Sequence, residues 1–280
     1  MDSPEALSPA RIRAALTEKL GPALAARFEP WVVAETGSTN SDLLAQGRDH
    51  AVAEGRVLFA ESQTAGRGRR GDPWVSPPGT NLLFSILLRP GGPIAAWLRL
   101  PHLAGIAVCR AIESVLPGLE ETPRLKWPND VFLGERKVAG ILVESRGGLR
   151  EDGSPAPFAV LGIGLNVNLP PEAFPEDLRS LATSLSGHAG HRLDRNAVAA
   201  AFLAEWAALY PAALEPSAFG EPREELRRRS FLTGREVVVF SGNRQIAGTA
   251  IDAGPEGELI VEKTDGERET IVSADGVRWA

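Results

Sequence analysis

The stretch LKWPNDVFLGERKVAGILVES, residues 125–145, decides how this chain is read. It reads as strand, turn, strand. Pro128, Asn129 and Asp130 supply turn chemistry, and GERK at 134–137 reads as a hairpin turn. RVLFAES (56–62), NLLFSILLRP (81–90) and FAVLGIGLNVNLP (158–170) read as further strands, the last two ending at prolines. A strand-rich middle of this kind predicts a mixed sheet with much antiparallel pairing.

Helices flank it. SPARIRAALTEKLG (8–21) has Ser8 as N-cap, Pro9 in the first turn and Gly21 just past the end. STNSDLLAQG (38–47) reads as a second helix, stopped at Gly47. In 94–116 an apolar stripe runs through Leu100, Leu103, Ala107, Val108, Ala111 and Val115, and Pro101 marks a helix start. DRNAVAAAFLAEWAALYPAAL (194–214) is a capped helix beginning after Asp194, and PREELRRRS (222–230) is a short charged one. The pattern changes near Phe231. REVVVFSGN, RQIAGTAIDA, GELIVEK and RETIVSADGVRW are four short strand-like pieces, which predict a small barrel packed on the larger domain. The expected domains are 1–230 and 231–280.

Composition narrows the function classes. The chain has 280 residues, 43% hydrophobic and 24% charged, which is ordinary globular usage. A net charge of −6 argues against a dedicated nucleic-acid binder. The N-terminal residues show no secretory signal, and no run approaches ~18 apolar residues, so no membrane partner is expected. The single cysteine, Cys109, cannot form an internal disulfide; it reads as a small core residue in a cytoplasmic protein. His188 and His191 in HAGH lack further ligands, so no structural metal is expected.

The chemistry gathers in short motifs. ESQTAGRGRRGDPWVSPPGTN (61–81) sets Arg67, Arg69 and Arg70 among Gly66, Gly68 and Gly71. Glycines let backbone N–H groups approach an anion, and guanidinium forks suit phosphate or carboxylate. The spacing is not that of a P-loop, and Asp72, Pro73 and Trp74 intervene where a dinucleotide-binding helix would start. On its own the loop is either an anion grip or a surface turn with solvated arginines. Trp127 alone reads as core, Asn129 and Asp130 as turn residues, and Lys137 as either a functional cation or a solvated hairpin tip.

Taken in order, GSTN, GRGRRG, KWPND, KVAGILVE and GIGLN resemble the biotin–protein ligases, over nearly the whole chain from about Thr36 onward. The resemblance implies a mixed sheet flanked by helices, of the class II aminoacyl-tRNA synthetase/biotin ligase type (α+β), with a C-terminal SH3-like barrel. It implies that Ser38, Thr39, Asn40 and Gln63 line a biotin pocket. Hydroxyl and amide groups suit the ureido ring. It implies that Arg67, Gly68 and Arg69 close over biotin and its adenylate, and that Lys137 contacts the biotin carboxylate. Asn129 and Asp130 fall on the nucleotide side with Arg69, Arg70 and Trp74, and Asp130 is the implied Mg²⁺ contact. Lys126 balances phosphate charge. Gly140, Gly162, Gly164 and Asn166 line the same cleft.

The implied reaction uses biotin and ATP to form biotinyl-5′-AMP, then transfers biotin to a lysine of a biotin carboxyl carrier protein. Arg67, Arg69, Lys126 and Lys137 are the implied catalytic cations, and loop 65–76 is expected to order over the adenylate. Three rival readings stand beside it. A biotin-responsive repressor would need a winged helix, and about 37 residues before Ser38 are too few. A lipoate ligase or octanoyltransferase shares the fold but not GRGRRG with KWPND. A non-catalytic biotin-binding module would not need a phosphate site. The expected oligomeric state is monomer or homodimer.

Overall fold

The computed structural model describes residues 6–148, 154, 156–211 and 215–280. Seven strands form the main sheet: β1 (Glu29–Thr36), β2 (Arg56–Gln63), β3 (Leu82–Leu88), β4 (Arg124–Lys126), β5 (Asp130–Leu133), β6 (Arg136–Arg146) and β7 (Phe158–Leu165). Their order is β1-β2-β3-β7-β6-β5-β4. Among the described residues β1–β2 is the one parallel pair of strands in this sheet. The mixed, largely antiparallel sheet expected from the sequence is therefore present.

Alternation along the central strands explains the layers. Phe59, Phe84, Ile86, Leu161 and Ile163 point into the large core. There they meet α4 (Leu100–Val115) and α6 (Arg195–Leu209), with α1 (Pro9–Leu20) packed on α6; the short helices α2 (Pro22–Ala25) and α5 (Leu185–Ala189) follow α1 and precede α6 in the chain. Leu58, Leu87, Phe158 and Val160 point the other way, against Leu43 and Leu44 of α3 (Thr39–Gln46). Covered on both faces, β3 is buried at every position, which its unbroken apolar run anticipates. The helix signals hold locally. Ser8 Oγ accepts from the Arg11 amide at 3.4 Å, and Gly21 leaves the helix at φ 77°. Pro101 lies in the first turn of α4 behind a 3₁₀ segment, and Cys109 is buried. The C-terminal end of the 194–214 helix reading, residues 212–214, lies outside the described residues.

The chain beyond Phe231 differs from its reading in two ways. RETIVSADGVRW holds two strands rather than one, because it bends at 272–275. The strands β8 (Glu236–Ser241), β9 (Arg244–Ala253), β10 (Leu259–Glu262), β11 (Arg268–Ile271) and β12 (Gly276–Trp279) form a second sheet in the order β11-β10-β9-β8-β12. Among the described residues β11 and β12 are its edges, so the pairing does not close the barrel that was expected. This sheet shares one hydrophobic cluster with Trp127, Phe132, Phe231 and Leu232. The Trp127 indole N–H donates to Gly257 O at 3.1 Å, and Arg99 pairs with Glu256 at 2.5 Å. The KWPND turn is thereby pinned to the second sheet. A 3₁₀ turn leads into α7 (Gly220–Arg229), the charged helix, whose Arg227 pairs with Asp252.

Candidate active site

A cleft of ≈ 220 Å³ opens on the α3 face of the main sheet. Strand register explains the hollow. Ser85 pairs with Gly162, and Gly162 with Leu142; Leu83 pairs with Gly164, and Gly164 with Gly140. Paired residues share a face, so three glycines fall side by side where side chains would otherwise fill the space. A Cβ at Gly164 would lie 2.5 Å from the Trp74 ring, one at Gly140 would lie 3.0 Å from it, and one at Gly162 would collide with Asn40 Oδ1.

One end of the cleft is neutral and polar. Ser38 precedes α3 and is buried with Thr39 and Asn40 at the helix start. Gln63, the last residue of β2, accepts from the Thr39 amide at 2.8 Å through Oε1. Thr39 Oγ1 lies 3.1 Å from the same oxygen and 2.7 Å from Ser85 Oγ. Ser85 Oγ donates to Asn40 Oδ1 at 2.6 Å, and Asn40 Nδ2 donates to Glu144 Oε2 at 2.9 Å. Glu144 also receives Arg67 at 3.0 Å, and Arg67 reaches Ser41 Oγ at 2.9 Å.

The other end is cationic. Lys137 Nζ lies 2.6 Å from Asp130 Oδ1, and Lys126 Nζ lies 4.0 Å from Asp130 Oδ2. Burial pushes the Lys126 ammonium below the usual lysine range; Asp130 opposes the shift and Lys137 adds to it. Burial also lowers the Arg69 guanidinium, against the pull of Asp130 and Asp275. Lys126 stands 4.6 Å over the Trp279 ring.

The glycine–arginine loop forms the roof, and residues 274–277 extend it. Arg69 donates to Ala274 O at 3.1 Å and Arg70 to Asp275 O at 2.9 Å. Arg70 is held at φ 66°, a left-handed conformation disfavoured for a residue with a Cβ. Trp74 lies beneath, its indole across Gly164 and Gly140, and its buried Nε1 finds no hydrogen-bond partner among the described residues.

The structure brings together all but one of the sequence-predicted residues. Ser38, Thr39, Asn40, Gln63, Arg67, Gly68, Arg69, Arg70, Trp74, Lys126, Asn129, Asp130, Lys137, Gly140, Gly162 and Gly164 all border this cleft. Asn166 does not. Its amide donates to Thr183 O at 3.0 Å, and Asn81 donates to its carbonyl at 3.3 Å. Asn129 lines the wall, but its amide nitrogen is spent on Ile141 O at 2.7 Å. Sequence reasoning missed Glu144, Ser85 and the 274–277 segment. A glutamate within the apolar run ILVES was the signal available for Glu144.

The family description "Biotin/lipoate A/B protein ligase family" matches residues 33–166. A biotin–acetyl-CoA-carboxylase ligase of Mycobacterium tuberculosis is 38% identical over 251 residues, covering 88% of this chain and 87% of that protein. One of Paracoccus denitrificans is 31% identical, covering 87% and 98%. Among solved structures, the biotin protein ligase of Aquifex aeolicus in complex with biotin and ATP superimposes with a TM-score of 0.74 at 30% identity, covering 90% of this chain and 99% of that one. The chain belongs to the biotin/lipoate A/B protein ligase family. Its full-length relatives above carry the biotin-ligase name.

Proposed function

We propose that this chain is an ATP-dependent biotin ligase that attaches biotin to a lysine of a biotin carboxyl carrier protein through biotinyl-5′-AMP. One observation carries the reading: a single cleft joins a neutral hydroxyl–amide end to a cationic end across a glycine-lined floor. A biotin molecule has the matching halves, an uncharged ureido ring and a carboxylate.

In this reading Ser38, Thr39, Asn40 and Gln63 take the ring, and Lys137 meets the carboxylate in exchange for its Asp130 contact. A carboxylate oxygen attacks the α-phosphorus of ATP, and the bond to pyrophosphate breaks. Both reactants are anionic, so Lys126, Lys137, Arg67 and Arg69 act by neutralising and orienting them. Arg70 and Trp74 cover the nucleotide side, and Asn129 locks the turn that presents Asp130. A carrier lysine then attacks the acyl carbon, AMP leaves, and the nitrogen gives up a proton. Loop 65–76 shields the mixed anhydride from water.

Among the described residues there is no group of three or more His, Cys, Asp or Glu that could hold a metal ion. Magnesium fits here as a companion of the triphosphate, with Asp130 as its protein oxygen ligand, and it would supply charge neutralisation. The second sheet, 231–280, is read as the SH3-like module, beginning after a boundary at 230. The lone buried Cys109 suits the cytoplasm. Incubation with biotin, ATP and a carrier domain tests the reading. Intact mass should show one biotinyl adduct, on the acceptor lysine; a carrier left unmodified would refute it.

A further inference from the structure

The KVAGILVE motif ends on a glutamate to which the function above gives no task, and β3 carries a serine that stays out of the cleft. Both belong to one hydrogen-bond chain. We infer that Ser85 and Glu144 are positioning residues that fix the direction of the hydrogen bonds in the head-group pocket, so that it selects ligands carrying ureido N–H donors. The inference rests on the biotin reading above.

Donor and acceptor counting gives the direction. A carboxylate and a backbone carbonyl only accept. Asn40 faces Glu144 Oε2 at 2.9 Å and Leu142 O at 3.4 Å, so its NH₂ must point there. Its Oδ1 must then face Ser85, 2.6 Å away. A hydroxyl has one proton. Ser85 gives that proton to Asn40, so across the 2.7 Å contact with Thr39 it can only accept. Gln63 Oε1, held in place by the Thr39 amide, is a second acceptor 3.1 Å from Thr39 Oγ1. The one Thr39 proton serves one of them at a time. With Thr39 donating to Gln63 Oε1, its contact with Ser85 is left without a proton. A ligand N–H that donates to Gln63 Oε1 releases the Thr39 proton to Ser85 and relieves that contact. A ligand that brings an ether oxygen or a methyl there does not.

Ser85 is fully buried behind the wall, so it acts only through Asn40 and Thr39. Arg67, 3.0 Å from Glu144, ties the same chain to the roof loop. Burial makes the direction matter, because a buried donor or acceptor left without a partner is costly.

The test compares wild type, Ser85→Ala and Glu144→Gln in biotin-dependent pyrophosphate–ATP exchange. Calorimetry gives binding for any variant that does not turn over. Two ligands are used: biotin, and a biotin analogue methylated on a ureido nitrogen. In Ser85→Ala the Thr39 proton stays on Gln63, because the second acceptor is gone. In Glu144→Gln the Asn40 amide is free to invert. Each change should raise the KM or Kd for biotin about ten- to hundredfold, leave the KM for ATP unchanged, and narrow the preference for biotin over the analogue. Variants that weaken both ligands equally, with the preference intact, would overturn the inference, since that is what loss of structure alone produces. Glu144 is partly exposed, which keeps the test open if Ser85→Ala does not fold. Wild type showing no biotin-dependent exchange would instead sink the underlying biotin reading.

Discussion

The ammonium of Lys137 and the carboxylate of Asp130 meet at 2.6 Å between neighbouring strands, at the cationic end of the cleft. In the proposed reading the pair keeps a cation parked where the biotin carboxylate would arrive. Lys137→Ala should lower kcat/KM for adenylate formation by about 10²–10³, the scale for losing one well-placed charge donor. Initial rates of pyrophosphate release check this, and a rate equal to wild type would remove Lys137 from the mechanism.

Arg69 binds the backbone of Ala274, so the roof is fastened to the second sheet. Arg69→Ala should loosen the cover more than it slows the first step. The expected result is leaked biotinyl-adenylate and biotin scattered over exposed lysines. Mass spectrometry of a bystander protein mixed with the variant measures it, and bystander labelling no greater than wild type would contradict it.

Gly164 is occupied from above by Trp74, at 2.5 Å from where a Cβ would stand. Gly164→Ala should displace the indole and destabilise the chain by about 1–3 kcal/mol, the usual cost of overpacking. Tryptophan emission and a urea titration report the two effects. An unshifted emission maximum with full stability would show that Trp74 does not rest there.

His102 on α4 lies against Gly257, at the junction with the second sheet. Burial, helped by Arg69, lowers its pKa from 6.5 to about 4. Between those values the unfolded chain holds a proton that the folded chain does not, so stability rises with pH across that window and is lost on acidification. The loss by pH 4 amounts to about 3 kcal/mol. Urea midpoints at pH 7 and pH 4.5 should differ by more in wild type than in His102→Gln. Equal differences would exclude His102 as the source.

Much of this was legible because the deciding residues are local. Turn residues at 128–130 and glycines at 66, 68 and 71 announce their geometry over a few positions. The apolar-rich runs 81–90 and 158–170, each ending at a proline, marked strands. What stayed hidden depends on register and on distance along the chain. Gly140, Gly162 and Gly164 form one hollow only because β6 pairs with β7, and Ala274 reaches Arg69 across 205 positions. Asn166 was placed on the cleft by its neighbours in GIGLN, but β7 ends one residue earlier and its side chain turns to Thr183. The bend at 272–275 carries Ser273 and Asp275 just before Gly276, a turn signal that the reading of RETIVSADGVRW as one strand passed over.

The central claim is that one cleft activates biotin with ATP. Biotin-dependent exchange of labelled pyrophosphate into ATP tests it without any carrier protein. The account predicts exchange that requires biotin, is not supported by lipoate, and falls sharply in Lys137→Ala. Exchange supported by lipoate, or absent with biotin, would contradict it.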